Sequence, residues 1–161
     1  MKEAVFRPIG VVHTSATPDE IRSRTPGIKS EIEVFPEFEP GLEGLAGFSH
    51  IFVMGYFHEL RPEQVGPLQV KPKAYVYKGL KVEDLPTVGV FALDSPTRPN
   101  PIGLSLVPLL NIEKNRLFVS GLDCFDGTPV LDIKPYKSSY RVDSYSLPEW
   151  LTRLHEKVGR S

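Results

Sequence analysis

No long helix can run through most of this chain. Proline accounts for 16 of its 161 residues, roughly twice the usual ~5%. Each one removes a backbone donor and fixes φ. That spread predicts short strands and rigid loops, and it argues against a helical bundle. The stiffest stretch is TRPNPIGLSLV, Thr97 to Val107. It lies between TVGVFAL and LSLVPLL, both of which read as strands. Pro99 and Pro101 bracket Asn100, and the residues before them, Arg98 and Asn100, are pushed toward extended geometry. So rigid a connection, carrying an arginine and an asparagine, raises the question of what it holds in place.

Around it the pattern is mostly β. VFRPIGVVHTS reads as a first strand, and SRTPGIKS as a loop with Pro26-Gly27 at the centre of a type II turn. SEIEVFPEF alternates Ile32, Val34 and Phe38 with acids, as a half-buried strand does. PGLEGLAGFS suggests a short helical turn. HIFVMGYFHEL is apolar on both parities, the mark of a doubly buried strand. Residues 61–84 carry Arg61, Lys71, Lys73, Lys78 and Lys81 among prolines and glycines, which predicts a long basic loop. GLSLVPLLNIEKNRLFVSGL is a hairpin turning at residues 113–116, and TPVLDIKPY is a further strand. SLPEWLTRLHEKVG is the one convincing helix, over about 147–158. Ser146 and Glu149 have capping-box spacing, and Trp150, Leu151, Leu154 and Val158 share a face. Short strands with regular turn signals predict a barrel or sandwich with one helix. One domain is expected over 1–161, with its core over about 5–140.

Composition narrows the function. Net charge is −1, without the positive excess by which a nucleic-acid binder usually shows itself. No apolar run approaches the ~20 residues of a membrane span, and MKEAVFRPIG has no signal-peptide pattern. The single Cys124 excludes an intramolecular disulfide and fits a reducing cytoplasm. His13, His50, His58 and His155 do not fall at metal-ligand spacings, so no metal is expected. His50 and His58 read more simply as satisfied core or strand-end histidines, and Cys124 as a buried filler.

Two polar clusters stand out, DSPTRPNPIG and DCFDGTPVLDIKPY. In the second, Asp132, Lys134 and Tyr136 share one strand face, while Leu131, Ile133 and Pro135 share the other. The apolar side should face inward. The polar side is either a solvated face with an ion pair or a row that takes up a proton and holds a polar substrate.

RPNPIGLS followed by DGTPVLDIKPY, with FSHIFV and RTPGI upstream, resembles the TsaA-like family, which includes S-adenosylmethionine-dependent tRNA (adenine-N6)-methyltransferases. The resemblance runs from about Phe6 to Tyr136. It implies a single β-barrel with a short C-terminal helix, working as a homodimer with the cofactor near the subunit interface, and tRNA as substrate. Carried over position by position, the cofactor contacts are Pro26, Gly27, Ile28, His58, Glu59, Asp94, Leu104, Ser105, Thr128, Pro129, Val130 and Leu131. Arg98, Asn100, Asp132, Lys134 and Tyr136 are the expected catalytic residues. Leu93-Asp94 stands where the family usually has Thr-Arg, and His58-Glu59 where many members have His-Gln. The alternative function is a protein that only senses the cofactor or methylates a small molecule.

Overall fold

In the computed structural model, which describes residues 4–159, the chain divides into two compact units. The first comprises residues 1–60 and 101–136, and the second residues 61–100 and 137–161.

The first unit is a closed barrel of six antiparallel strands. They are β1 (Gly10–His13), β2 (Lys29–Val34), β3 (His50–Tyr56), β6 (Ile102–Glu113), β7 (Arg116–Ser120) and β8 (Pro129–Pro135). Around the barrel they run β1-β2-β7-β6-β3-β8. Alternation explains the core. Val12, Ile32, Val34, Ile51, Val53, Val107, Leu117, Val119 and Val130 point inward and are at most 1% exposed. The β6–β7 hairpin turns where the sequence placed it, with Lys114 at φ 54°.

The barrel corrects several sequence expectations. The first strand is only Gly10–His13, because its neighbours β2 and β8 offer partners over that length alone. β2 stops at Val34, and Pro36–Leu42 wind into a 3-10 helix instead of extending the strand. A six-residue helix, α1 (Pro18–Ser23), was not anticipated; Thr17 and Glu20 form its capping box. β3 is fully buried on its inner parity only, while His50, Phe52 and Met54 on the outer parity are half-buried and Tyr56 is exposed. In β8 a register shift opposite Met54/Gly55 re-phases the strand. Val130 therefore enters the core and Leu131 does not, while Ile133 again packs inward. A bulge of this kind cannot be read from alternation.

The second unit is built mainly from tight turns. A two-residue ladder pairs β4 (Gln69–Val70) with β5 (Val88–Gly89). 3-10 segments cover Pro62–Gln64, Lys73–Lys78, Val82–Asp84, Val90–Ala92 and Ser138–Tyr140. The expected basic loop is thus a series of 3-10 turns. The TVGVFAL strand shrinks to two residues because its only partner is two residues long. The C-terminal helix α2 (Glu149–Lys157) starts after Pro148, which has no hydroxyl to offer as a cap. Ser146 and Glu149 therefore make no capping box. Leu154 packs with Tyr75 and Leu85 in a small core flanked by Leu80, Trp150, Leu151 and Val158.

Candidate functional site

One end of the barrel gathers the ends of three sequence motifs. The strand registers place Tyr56 opposite Ile102 and Gly55 opposite Gly103 and Val130. The Phe57 amide donates to the Pro101 carbonyl at 2.9 Å, so His58 and Glu59 leave β3 beside the start of β6. Gly103 packs closely under the Phe57 ring. A Cβ on it would lie 2.5 Å from Phe57 Cζ. The DGT turn is tied to β1, with the Gly127 amide donating to the Val12 carbonyl at 2.8 Å and the Val12 amide to the Thr128 carbonyl at 2.9 Å. Asp126 Oδ1 accepts from the Thr14 amide at 3.0 Å. The Pro26-Gly27 turn, with Gly27 at φ 80°, joins the same end through the Gly121 amide, which donates to the Ile28 carbonyl at 2.8 Å.

Asp123, which the sequence did not single out, links these pieces. It accepts a short hydrogen bond from Ser105 Oγ and lies 3.5 Å from Arg24 Nη2. Its carboxylate thus ties the loop before TPGI to β6. No spacing rule could have found it, because its partners are 99 and 18 positions away. On β2, Ser30 is buried and its hydroxyl has no hydrogen-bond partner among the described residues. Beside Asp123, Cys124 is buried. Burial, reinforced by the Asp123 charge, pushes its thiol up to about 12, so it stays protonated and is no nucleophile at neutral pH.

The expected site residues therefore fall into separate groups. Pro26, Gly27, Ile28, His58, Glu59, Ser105, Thr128, Pro129 and Val130 cluster at this end of the barrel. Leu104 does not join them by its side chain, since it alternates with Ser105 and points outward, 65% exposed. It shares the outer face with the polar row. Met54 pairs with both Leu104 and Asp132, and Phe52 with both Leu106 and Lys134. On that face Lys134 Nζ lies 3.0 Å from Asp132 Oδ2, and Asp132 Oδ1 accepts from the Ile133 amide at 2.9 Å. The Tyr136 ring stands edge-on to His50 at 6.4 Å and tilted over Phe52 at 5.9 Å. Leu131, at the register shift, is half-buried.

Asp94, Arg98 and Asn100 belong to the second unit. Arg98 Nη1 donates to the Leu93 carbonyl at 3.0 Å and to the Ser95 carbonyl at 3.4 Å. Its guanidinium thus fastens its own loop, which partly answers why so stiff a connection carries an arginine. No group of three His, Cys, Asp or Glu gathers as metal ligands among the described residues.

A closed antiparallel barrel with a motif-lined end, and without a Gly-rich phosphate loop, defines a narrow class of fold. The chain belongs to the tRNA-methyltransferase O N-terminal domain family, whose model matches residues 13–143. It is 36% identical over 163 residues to a probable S-adenosyl-L-methionine-binding protein of Pyrococcus abyssi, covering 97% of this chain and 80% of the relative. It is 40% identical over 115 residues to a tRNA (adenine(37)-N6)-methyltransferase of Mus musculus, covering 70% of this chain and 24% of that enzyme. Its fold matches a crystal structure of TrmO with a TM-score of 0.66 and 31% identity, covering 90% of this chain and 61% of that one. The chain thus spans about three-fifths of the TrmO chain.

Proposed function

We propose that this protein is an S-adenosylmethionine-dependent methyltransferase that acts on N6-threonylcarbamoyladenosine next to the tRNA anticodon, in the cytoplasm. The observation that carries the reading is the meeting of TPGI, the β3 end, PIGLS at the start of β6 and DGTPVL at one barrel end, in a chain of this family. The residues there suit the cofactor. Asp123 and Glu59 can accept from ribose hydroxyls or an ammonium. Ile28 provides apolar surface for an adenine ring. When bound, S-adenosylmethionine supplies an electrophilic methyl group on a sulfonium.

What remains for the chain is to hold the accepting nitrogen in line and to take up its proton. In the ureido-like nucleoside that proton is more acidic than in an amine. We assign its handling to the row Asp132, Lys134 and Tyr136. Asp132 Oδ2 can accept a proton, Lys134 Nζ at 3.0 Å can offset the charge that develops, and the Tyr136 hydroxyl can orient the substrate.

We further propose a two-fold homodimer through the outer face of β3, β6 and β8. Leu104, Leu106 and Leu110 are exposed in a row on β6, where an antiparallel strand facing water is expected to be polar. A self-complementary patch of this kind suits an isologous contact. It would bring the outward Leu104 to a partner's site.

Incubation with methyl-labelled cofactor and tRNA carrying the threonylcarbamoyl group tests the reading. Label at N6 is expected. Tight cofactor binding with no transfer to any tRNA would favour a sensor. Light scattering tests the assembly: a dimer is expected, and Leu106→Asp should yield monomer.

A further inference from the structure

The overall charge of −1 hides a strong division. The barrel unit carries eight Lys and Arg against thirteen Asp and Glu, net −5; the second unit carries eleven against seven, net +4. The second unit also exposes aromatic faces. Phe91 is 75% exposed and Tyr77 51%, so water meets large rings where packing does not require them. The β4–β5 ladder explains where Phe91 lies. The Val90 amide donates to the Leu68 carbonyl at 2.9 Å, which sets Phe91 at the same end of the ladder as Leu68, itself exposed. Lys71 follows at the other end, and its Nζ donates to the Val82 carbonyl at 3.0 Å, bringing the Lys81–Val82 turn alongside. Lys73 and Tyr77 lie on the 3-10 helix that comes next. No carboxylate among the described residues pairs with Lys73 or Lys81. Arg61, Arg141 and Arg153 of the same unit, by contrast, each have an acidic partner.

We propose that the second unit is a binding surface for single-stranded RNA, with Phe91 and Tyr77 stacking on unpaired bases while Lys71, Lys73 and Lys81 follow the phosphates. Cations interleaved with exposed rings are what an unpaired strand needs. Stacking takes any base, and ammonium groups track the backbone. A duplex, with its bases already stacked, offers phosphates but no faces. The inference rests on the proposed tRNA substrate and goes further, because it assigns recognition of the unpaired loop to residues 68–91 and not to the barrel.

The test is fluorescence anisotropy, without cofactor, on an RNA hairpin with an unpaired loop and on a fully paired RNA of the same length. Phe91→Ala should weaken hairpin binding ~10-fold and leave the paired RNA unchanged, and Phe91→Tyr should restore it. Lys71→Ala with Lys73→Ala should weaken both RNAs and reduce the salt slope by roughly 1–2. Wild-type hairpin affinity in Phe91→Ala would overturn the proposal. So would equal losses on both RNAs, or a change in mass by light scattering in place of a change in affinity, which would make Phe91 a contact between copies. Methyl transfer is followed on the same hairpin bearing the modified adenosine. Loop-selective binding without transfer would overturn the enzyme reading and keep the surface. Transfer that is indifferent to all these variants would keep the enzyme and remove the surface.

Discussion

The two units reach stability by different routes. The barrel closes one ladder on itself and fills it with β-branched and leucine side chains, and its net charge is negative. The second unit has a two-residue ladder, a three-residue buried core and a run of 3-10 turns, and it holds the positive excess. Regular pairing buries backbone polar groups efficiently and leaves little freedom to vary. Turns are looser but can present charged and aromatic groups in quantity. Within this one chain, the regular unit is therefore suited to the proposed task of holding a small ligand, and the irregular one to a larger, softer partner.

That contrast can be broken most directly in the cores. Leu117→Ala in the barrel should cost about 3–4 kcal/mol, lowering the melting temperature by about 10 °C. Leu154→Ala should cost about 2 kcal/mol, because the small cluster can collapse around the gap. Hydrogen exchange should then show protection lost around α2 while the barrel amides keep theirs. Equal losses across both units would mean that they melt as one. Backbone crowding gives a second comparison. At Gly10 a Cβ would lie 2.4 Å from the Glu33 carbonyl oxygen, so Gly10→Ala should cost about 2–3 kcal/mol. Gly79 in the second unit has open space at its Cβ position but φ 92°, so Gly79→Ala should cost only about 1 kcal/mol, from the left-handed backbone alone. Chemical denaturation of the pair ranks them.

pH separates the units more gently. The Cys124 thiol is raised from 9.0 to about 12, so the native state keeps its proton after the unfolded chain has lost it. This contribution is intact below pH about 9 and drains away as pH rises toward about 12. Cys124→Ala should flatten that alkaline decline, whereas a cysteine-free second unit has no such term. The smallest effect is expected on the outer face. Lys134→Ala breaks a half-exposed ion pair and should cost under ~1 kcal/mol of stability. If the residue serves catalysis, single-turnover methyl transfer should nevertheless fall ~10²-fold. Full activity in that variant would leave the polar row with no part in the reaction.

How much of this could be read from the sequence follows from the range of each interaction. The β6–β7 hairpin and the inward set of β2 were legible because alternation is local. The six-residue α1 went unseen although Thr17-Pro18-Asp19-Glu20 spells its capping box; a one-and-a-half-turn helix has too few residues to show periodicity. The same box was assigned to Ser146 and Glu149, where the spacing fits but the helix starts at Glu149 itself. TPGI and DGTPVL were recognisable as motifs. Asp123 was not, because its importance arises from the segments it joins. Nor was the outward turn of Leu104, since a motif gives residues but not the side of the strand they occupy.

The seam of the barrel has a consequence for how the molecule is made. β1 and β8 are matched over just two residue pairs, Gly10 with Val130 and Val11 with Pro129, 120 and 118 positions apart. On the ribosome, an early β1–β2 hairpin must wait, with one strand edge unpaired, until β8 has emerged. Long-range closure of this sort makes for slow folding, and the open edge is in the meantime a template for pairing with other chains. The brevity of β1 limits that exposure: four residues are enough to lock the finished cylinder and too few to make an attractive edge while it is still open.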